Sequence, residues 1–398
     1  MKNKNPLIVF LVTLTLLLFY LERPARQVYD EKFYVPAAMD ILHARPDPNY
    51  QHPPVAKEII AIGIGSFGDG PLGWRIGSAV MGAATLTSLY LMALFFFESS
   101  MLALLTILLI FANGLFYPLS RLAFLDIYSF GFSVFGITTV LYLLRGKMHA
   151  RTNAILGAAG LFFGLAMASK WSAIVLFGIA VAAMLHSKRF GARNWLSFMT
   201  AALAYYFLPF FFLTNMHWAD LQSIFQLQFS MWDFHHPAVM SAELSLENTS
   251  AWWQWPMRLQ PMWLAVFPPD NRDATKFLTV VLFGNPFVLI AGIAALIAGE
   301  FKKSWQFLWI LALCLMPWLF WAVQARPVTY YTYYLPTSVF LSFAIVYRLK
   351  TKKTALKVLT AVAMIWFICH WPLMSGMEMS ESHFRTFYPH VQMWGEVN

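Results

Sequence analysis

Two neighbouring carboxylates, Asp30 and Glu31, stand shortly after the first apolar stretch of the chain. A carboxylate at the edge of an apolar region can serve as a general base, taking the proton of a hydroxyl nucleophile. Its plainer use is to cap the following helix, where negative charge is favoured. Further on, His52-Pro53-Pro54 with Lys57 forms a stiff step, because each proline fixes its own φ and restricts the residue before it. Such a step can hold His52 and Lys57 towards a ligand, or it can mark a loop re-entering the membrane with a snorkelling lysine.

A second group of charges lies within or beside apolar runs: Arg75, Arg121, Asp126, Lys170 and Arg326. Placing a charge in hydrocarbon costs several kcal/mol unless it is paired or solvated. Each basic residue taken singly reads as interfacial snorkelling. Several cations at one depth suggest an anion held there, such as the phosphate of a lipid carrier, since guanidinium and ammonium groups pair well with phosphate oxygens. Asp233, His235 and His236 could ligate a metal, although adjacent histidines rarely point at one ion; nothing else in the chain indicates a metal or another cofactor. The Trp-rich stretch 252–263 reads most simply as an interfacial aromatic belt, with stacking on a sugar as the functional alternative.

These residues must be positioned by a membrane fold. The 398 residues are 59% hydrophobic and 12% charged, with a mean hydropathy of +0.58, too little polar surface to coat a soluble chain of this length. The formal charge of +9 is spread in small groups between apolar runs, which fits topology better than a polyanionic partner. Cys314 and Cys369 both fall in apolar stretches, so no disulfide framework is available.

A hydrocarbon core of about 30 Å calls for roughly 17 to 25 apolar residues per helix, which predicts about eleven spans near 6–21, 73–97, 100–118, 122–144, 152–169, 171–186, 195–214, 275–298, 304–323, 329–347 and 355–374. The first is read as a retained helix, because Leu21-Glu22-Arg23-Pro24 offers no small-residue cleavage site. Lys2, Lys4, Arg145, Lys147, Arg151, Lys188, Arg189, Arg193, Lys302, Lys303 and the cluster Arg348 to Lys357 then fall on one side. The acids on that side are Glu98 and Glu300. The positive-inside rule therefore puts the N-terminus in the cytoplasm and the loops 23–72 and 215–274 outside. The fold expected is all-α and polytopic: a transmembrane unit over 1–374, and a short outer tail, 375–398. Spacing of Phe33, Tyr34, Ala37, Ala38, Ile41 and Leu42 predicts an amphipathic helix over 31–44, lying on the membrane surface within the first loop. No internal repeat or separate soluble domain is seen.

Taken in order, Asp30-Glu31, His52-Pro53-Pro54 with Lys57, Gly73-Trp74-Arg75, Ser120-Arg121 with Leu125-Asp126, Ser169-Lys170-Trp171, Met231 to His235, Trp252 to Pro256, Gly284-Asn285-Pro286 and Tyr333-Tyr334-Leu335-Pro336 resemble the protein O-mannosyltransferases, GT-C membrane glycosyltransferases that use polyprenyl-phosphate sugars. The resemblance covers most of the chain, in a compact bacterial-type form that lacks the lumenal sugar-binding-like domain of eukaryotic members. It implies a cytoplasmic N-terminus, eleven helices and an outward-facing site in the plasma membrane. By resemblance Asp30 is the catalytic base with Glu31 in support, and Arg75 is needed for activity. His52, Lys57, Arg121, Asp126, Lys170 and Arg326 join Arg75 around the donor phosphate, while Trp253, Trp255 and Arg258 are weaker candidates for acceptor or sugar contacts.

The function expected is inverting transfer of a sugar, mannose by resemblance, from a polyprenyl-phosphate donor to an acceptor hydroxyl, with Ser or Thr of exported proteins favoured. The alternatives are the same chemistry on a lipid or glycan acceptor, and a transporter of a lipid-linked or anionic solute. Transporters tend to show repeat halves and mid-membrane ionisable groups, whereas here the charges gather at one interface.

Overall fold

The computed structural model describes residues 6–146, 150–213, 220–235, 249–258, 260–267, 276–298, 304–324, 326 and 328–391. The architecture is nearly all helix. Each of the eleven apolar segments contains one: α1 (Pro6–Leu18), α4 (Pro71–Phe97), α5 (Ser100–Phe111), α7 (Leu125–Arg145), α8 (Thr152–Met167), α9 (Ile174–Ser187), α10 (Ala192–Leu213), α12 (Pro286–Ile297), α13 (Trp305–Val323), α14 (Leu335–Leu349) and α15 (Lys353–Ser375). Among the described residues α4, α7, α13 and α15 are long and apolar enough to cross a bilayer, while α1, α5, α8, α9 and α12 are shorter apolar helices.

Two helices occupy the first long loop, α2 (Glu31–Leu42) and α3 (Val55–Phe67), and a four-residue helix, α6 (Phe116–Leu119), precedes α7. The amphipathic helix is present where the spacing puts it. Its inner face is Tyr34, Val35, Ala37 and Ala38, while Phe33 is exposed. The second half of the loop is also helical, which the two prolines concealed: Pro54 stands at the N-cap of α3, where a missing N–H costs nothing.

The difference from an all-α reading is a small antiparallel sheet of β1 (Met262–Phe267), β2 (Lys276–Leu282) and β3 (Glu378–Ser380). The segment expected to span 275–298 therefore divides. Lys276–Leu282, with Thr279, Val280 and Val281 in sequence, suits a pleated strand; Gly284-Asn285-Pro286 then turns the chain, and the Asn285 side chain accepts from the Phe287 N–H to start α12. The segment expected to form a short tail is tied to the body, since β3 pairs with β2 and α16 (Glu381–Phe387) follows it.

Close packing of the bundle uses small residues, as expected where lipid supplies no hydrophobic drive between helices. At Gly160 and Gly164 of α8 an added Cβ would stand 2.1 Å from the Phe198 carbonyl oxygen and 2.5 Å from that of Ala202, both on α10. The core runs continuously from α1 through α7 to α15 and into the sheet. A small separate cluster joins Phe210 of α10 to Ile224 and Met231 of α11 (Asp220–Phe234).

Candidate active site

Glu31 and Arg75 form the frame. Both are wholly buried. Glu31 Oε1 accepts from Arg75 Nε at 2.8 Å and from the Ala123 N–H at 2.9 Å; Oε2 accepts from Arg75 Nη2 at 2.8 Å and from the Val28 N–H at 2.9 Å. The rest of the guanidinium donates to the carbonyls of Leu21, Pro24 and Arg26 at 3.1, 2.9 and 3.0 Å. A buried ion pair is tolerated when its remaining donors and acceptors are met in this way. The clasp ties the end of α1, the start of α2, α4 and the turn before α7 into one piece.

Asp30 sits beside that clasp, at the N-cap of α2, yet its side chain caps nothing. Tyr34, one turn on, donates to Asp30 Oδ2 at 3.4 Å. Burial pushes the Asp30 carboxyl up to about 7; the nearby Lys170 ammonium pulls it down and Asp126 raises it again. Lys170 Nζ pairs with Asp126 Oδ1 at 2.8 Å and lies over the Tyr333 ring, 4.7 Å from its centroid. Asp126 Oδ2 is buried without a partner among the described residues.

A cavity of about 400 Å³ opens next to this group, lined by His52, Lys170, Trp171, His235, Trp321 and Arg326 among others. His235 Nε2 donates to the Gln51 carbonyl at 3.1 Å, and its Nδ1 accepts from Arg326 Nη2 at 3.3 Å; this pairing defines the neutral Nε2–H form. Burial, then the Arg326 charge, push His235 down to about 4. Burial and the Lys170 charge likewise hold His52 well below the ordinary range, so both imidazoles are neutral near pH 7. Arg326 lies over Tyr333 and Trp321, 5.6 and 5.9 Å from the two centroids, and those rings stack on each other at 4.2 Å.

The cations expected around one ligand thus divide. Lys170, Arg326 and the His52 ring border the cavity. Lys57 is fully buried, and its ammonium is held by the Asp47 carboxylate and the carbonyls of Asn49 and His52, the last at 2.8 Å. Arg121 donates to the Leu17 and Phe19 carbonyls at 3.1 and 3.0 Å, closing the end of α1, and stands over the Tyr117 ring. Arg75, Arg121 and Lys57 therefore face protein oxygens. Asp126 faces Lys170.

Of the aromatic candidates, Trp255 is buried, donating to Ser250 Oγ at 2.9 Å with its ring edge against Tyr333, while Trp253 is exposed. Arg258 lies over Tyr331, 5.5 Å from its centroid, and donates to the Gln260 carbonyl. His236 lies outside the described residues. His235, read in the sequence as a metal candidate, is occupied on both nitrogens by protein groups. Reasoning from sequence missed Tyr34, whose position four residues after Asp30 was the available signal, and missed Trp321, which carries none.

Residues 51–218 match the family profile described as dolichyl-phosphate-mannose-protein mannosyltransferase. The polyprenol-phosphate-mannose–protein mannosyltransferase of Mycolicibacterium smegmatis is 25% identical, over 92% of this chain and 86% of its own. Over these stretches the chain is similar to the protein O-mannosyltransferases. The counterpart from Corynebacterium glutamicum is 31% identical over 43% of this chain and 40% of its own. The chain is a membrane glycosyltransferase similar to these proteins. Its fold matches that of the Saccharomyces cerevisiae protein O-mannosyltransferase Pmt1-Pmt2 complex bound to the sugar donor, with a TM-score of 0.74 at 10% identity over 94% and 91% of the two chains. ArnT from Cupriavidus metallidurans bound to undecaprenyl phosphate follows, with a TM-score of 0.56 at 14% identity over 86% of this chain and 60% of that one. At such identities the likeness speaks for the GT-C-type fold.

Proposed function

We propose that this chain transfers mannose from a polyprenyl-phosphate-mannose donor to a serine or threonine hydroxyl of an exported protein, with inversion, at the non-cytoplasmic face of the plasma membrane. The observation that carries the reading is the two-part shape of the site. The cavity bordered by Lys170 and Arg326 meets, at Ile174 and Phe320, an apolar groove of about 840 Å³ between α9 and α13. That suits a ligand with an anionic head and a hydrocarbon tail.

In this reading the donor phosphate lies against Arg326, Lys170 and the neutral His52, and Asp30 faces the anomeric carbon. The acceptor oxygen forms a bond to that carbon as its proton passes to an Asp30 carboxylate oxygen. The bond from carbon to phosphate oxygen breaks, and the electron pair leaves with polyprenyl phosphate. Because a phosphate leaves, no general acid is required, and the cations stabilise charge as it develops on that oxygen. Glu31 and Arg75 act through position, fixing the start of α2 and hence Asp30. The one-sided distribution of basic residues supports a cytoplasmic N-terminus with Asp30 on the opposite face.

The test is turnover of purified Asp30→Asn in lipid, with labelled polyprenyl-phosphate mannose and a serine/threonine-rich acceptor peptide. The expected result is a loss of about 10²-fold or more in kcat with donor binding retained. Near-normal turnover would remove Asp30 as the base. Intact labelled donor recovered on the opposite leaflet, with no glycoside formed, would replace transfer by transport.

A further inference from the structure

The second outer loop returns to the membrane through α11. Ile224, Leu227 and Met231 of this helix pack on Tyr206, Phe207, Phe210 and Trp171. Phe225 meets Phe207 at 5.8 Å between ring centroids, and the Tyr206 hydroxyl donates to Gln228 at 2.5 Å. Residues 206–210 belong to the outer turns of α10, so α11 lies alongside the outer end of a membrane helix. It does not stand above the bilayer.

Phe225, 55% exposed, stands at the seam with α10, and the exposed side of the helix runs on from it through Phe229 and Trp232, exposed by 70% and 67%. Their spacing of four and then three residues gathers them in one stripe. On α10 itself the exposed residues at this level are also apolar: Leu203, Tyr205 and Leu208. Aromatic side chains are favoured at the headgroup boundary, where one end of the ring can stay apolar and the other wet. The helix DLQSIFQLQFSMWDF contains no lysine or arginine, so attraction to anionic lipid does not contribute, and apolar burial supplies the drive.

We propose that α11 is an interfacial helix seated in the outer leaflet, its Phe225–Phe229–Trp232 stripe docked against lipid acyl chains at the headgroup boundary. Trp232 also lines the cavity that holds His52, Lys170 and Arg326. The stripe therefore forms a sill between leaflet and cavity. The docking itself depends on no assignment of donor or acceptor.

The test uses the full chain in phosphatidylcholine nanodiscs, with Cys369→Ser and Cys314→Ala removing the native thiols. Phe225→Cys, Phe229→Cys and, as the polar-side control, Gln226→Cys each receive an environment-sensitive fluorophore. The expected result is blue-shifted emission at 225 and 229, quenched severalfold by lipids brominated on their acyl chains, with water-like emission at 226. Emission at 225 and 229 matching 226, and quenched by aqueous iodide, overturns the proposal. A photocrosslinking amino acid at position 229 gives an independent reading in protein of otherwise native sequence. Adducts to phospholipid support the docking, and crosslinks to a second protein chain overturn it.

Discussion

Protonation of Asp30 sets the pH range in which the proposed transfer can run. With its carboxyl pushed up to about 7, chiefly by burial, the base is protonated and idle in acid and becomes competent as pH rises through that value. The kcat/KM profile should climb with pH to a plateau above about 7. Tyr34 donates to the carboxylate, and a hydrogen bond to the charged form lowers a pKa. Tyr34→Phe should therefore move the rising limb to higher pH, by up to about one unit given a hydrogen bond worth roughly 1 kcal/mol; an unmoved limb would remove Tyr34 from the base's environment. Arg75→Met leaves Glu31 buried without its partner and should cost about 3–5 kcal/mol of stability, seen as a large fall in the thermal unfolding midpoint. The double variant Arg75→Met/Glu31→Leu should lose less than Arg75→Met alone, because no charge is then stranded.

At the scale of elements, hydropathy and spacing locate the helices well, since a 3.6-residue period and a span-length ruler are local properties. They failed at 276–282, where an apolar run of strand length is read as part of a helix by hydropathy and only its valines and threonine argue otherwise. Residue types picked out Asp30, Lys170 and Arg326 together with Arg75, Arg121 and Lys57, without saying which of the cations border a cavity. Charge says that a residue needs a partner; only the fold says whether that partner is a carbonyl or an open cavity. Lys57 makes the point, since its partners at Asp47, Asn49 and His52 are supplied by a loop whose path the sequence leaves open. Helix contacts yield a prediction of their own. Gly160→Leu places a side chain against the Phe198 carbonyl and should drive α8 from α10, costing about 1–3 kcal/mol by thermal unfolding in detergent.

For the whole molecule, the polar cavity and the apolar groove are separate features that meet at Ile174 and Phe320. The groove follows α9 from Ile174 to His186, roughly 18 Å at 1.5 Å per residue. It is therefore long enough for several isoprene units. Gly178 lines it with open space where a Cβ would stand. Gly178→Phe should raise KM for a long polyprenyl donor severalfold while leaving KM for a donor with a very short lipid little changed. An equal effect on both would assign the groove to stability instead.

The Glu31–Arg75 clasp also bears on the order in which the chain is made. All its partners lie between Leu21 and Ala123: the carbonyls of Leu21, Pro24 and Arg26, and the N–H groups of Val28 and Ala123. The two charges can neutralise each other once Ala123 has left the ribosome, before Lys170, His235 or Arg326 has been synthesised. Asp30, the proposed base, thus rests on contacts made within the first third of the chain, and the cations proposed to meet the donor phosphate arrive afterwards.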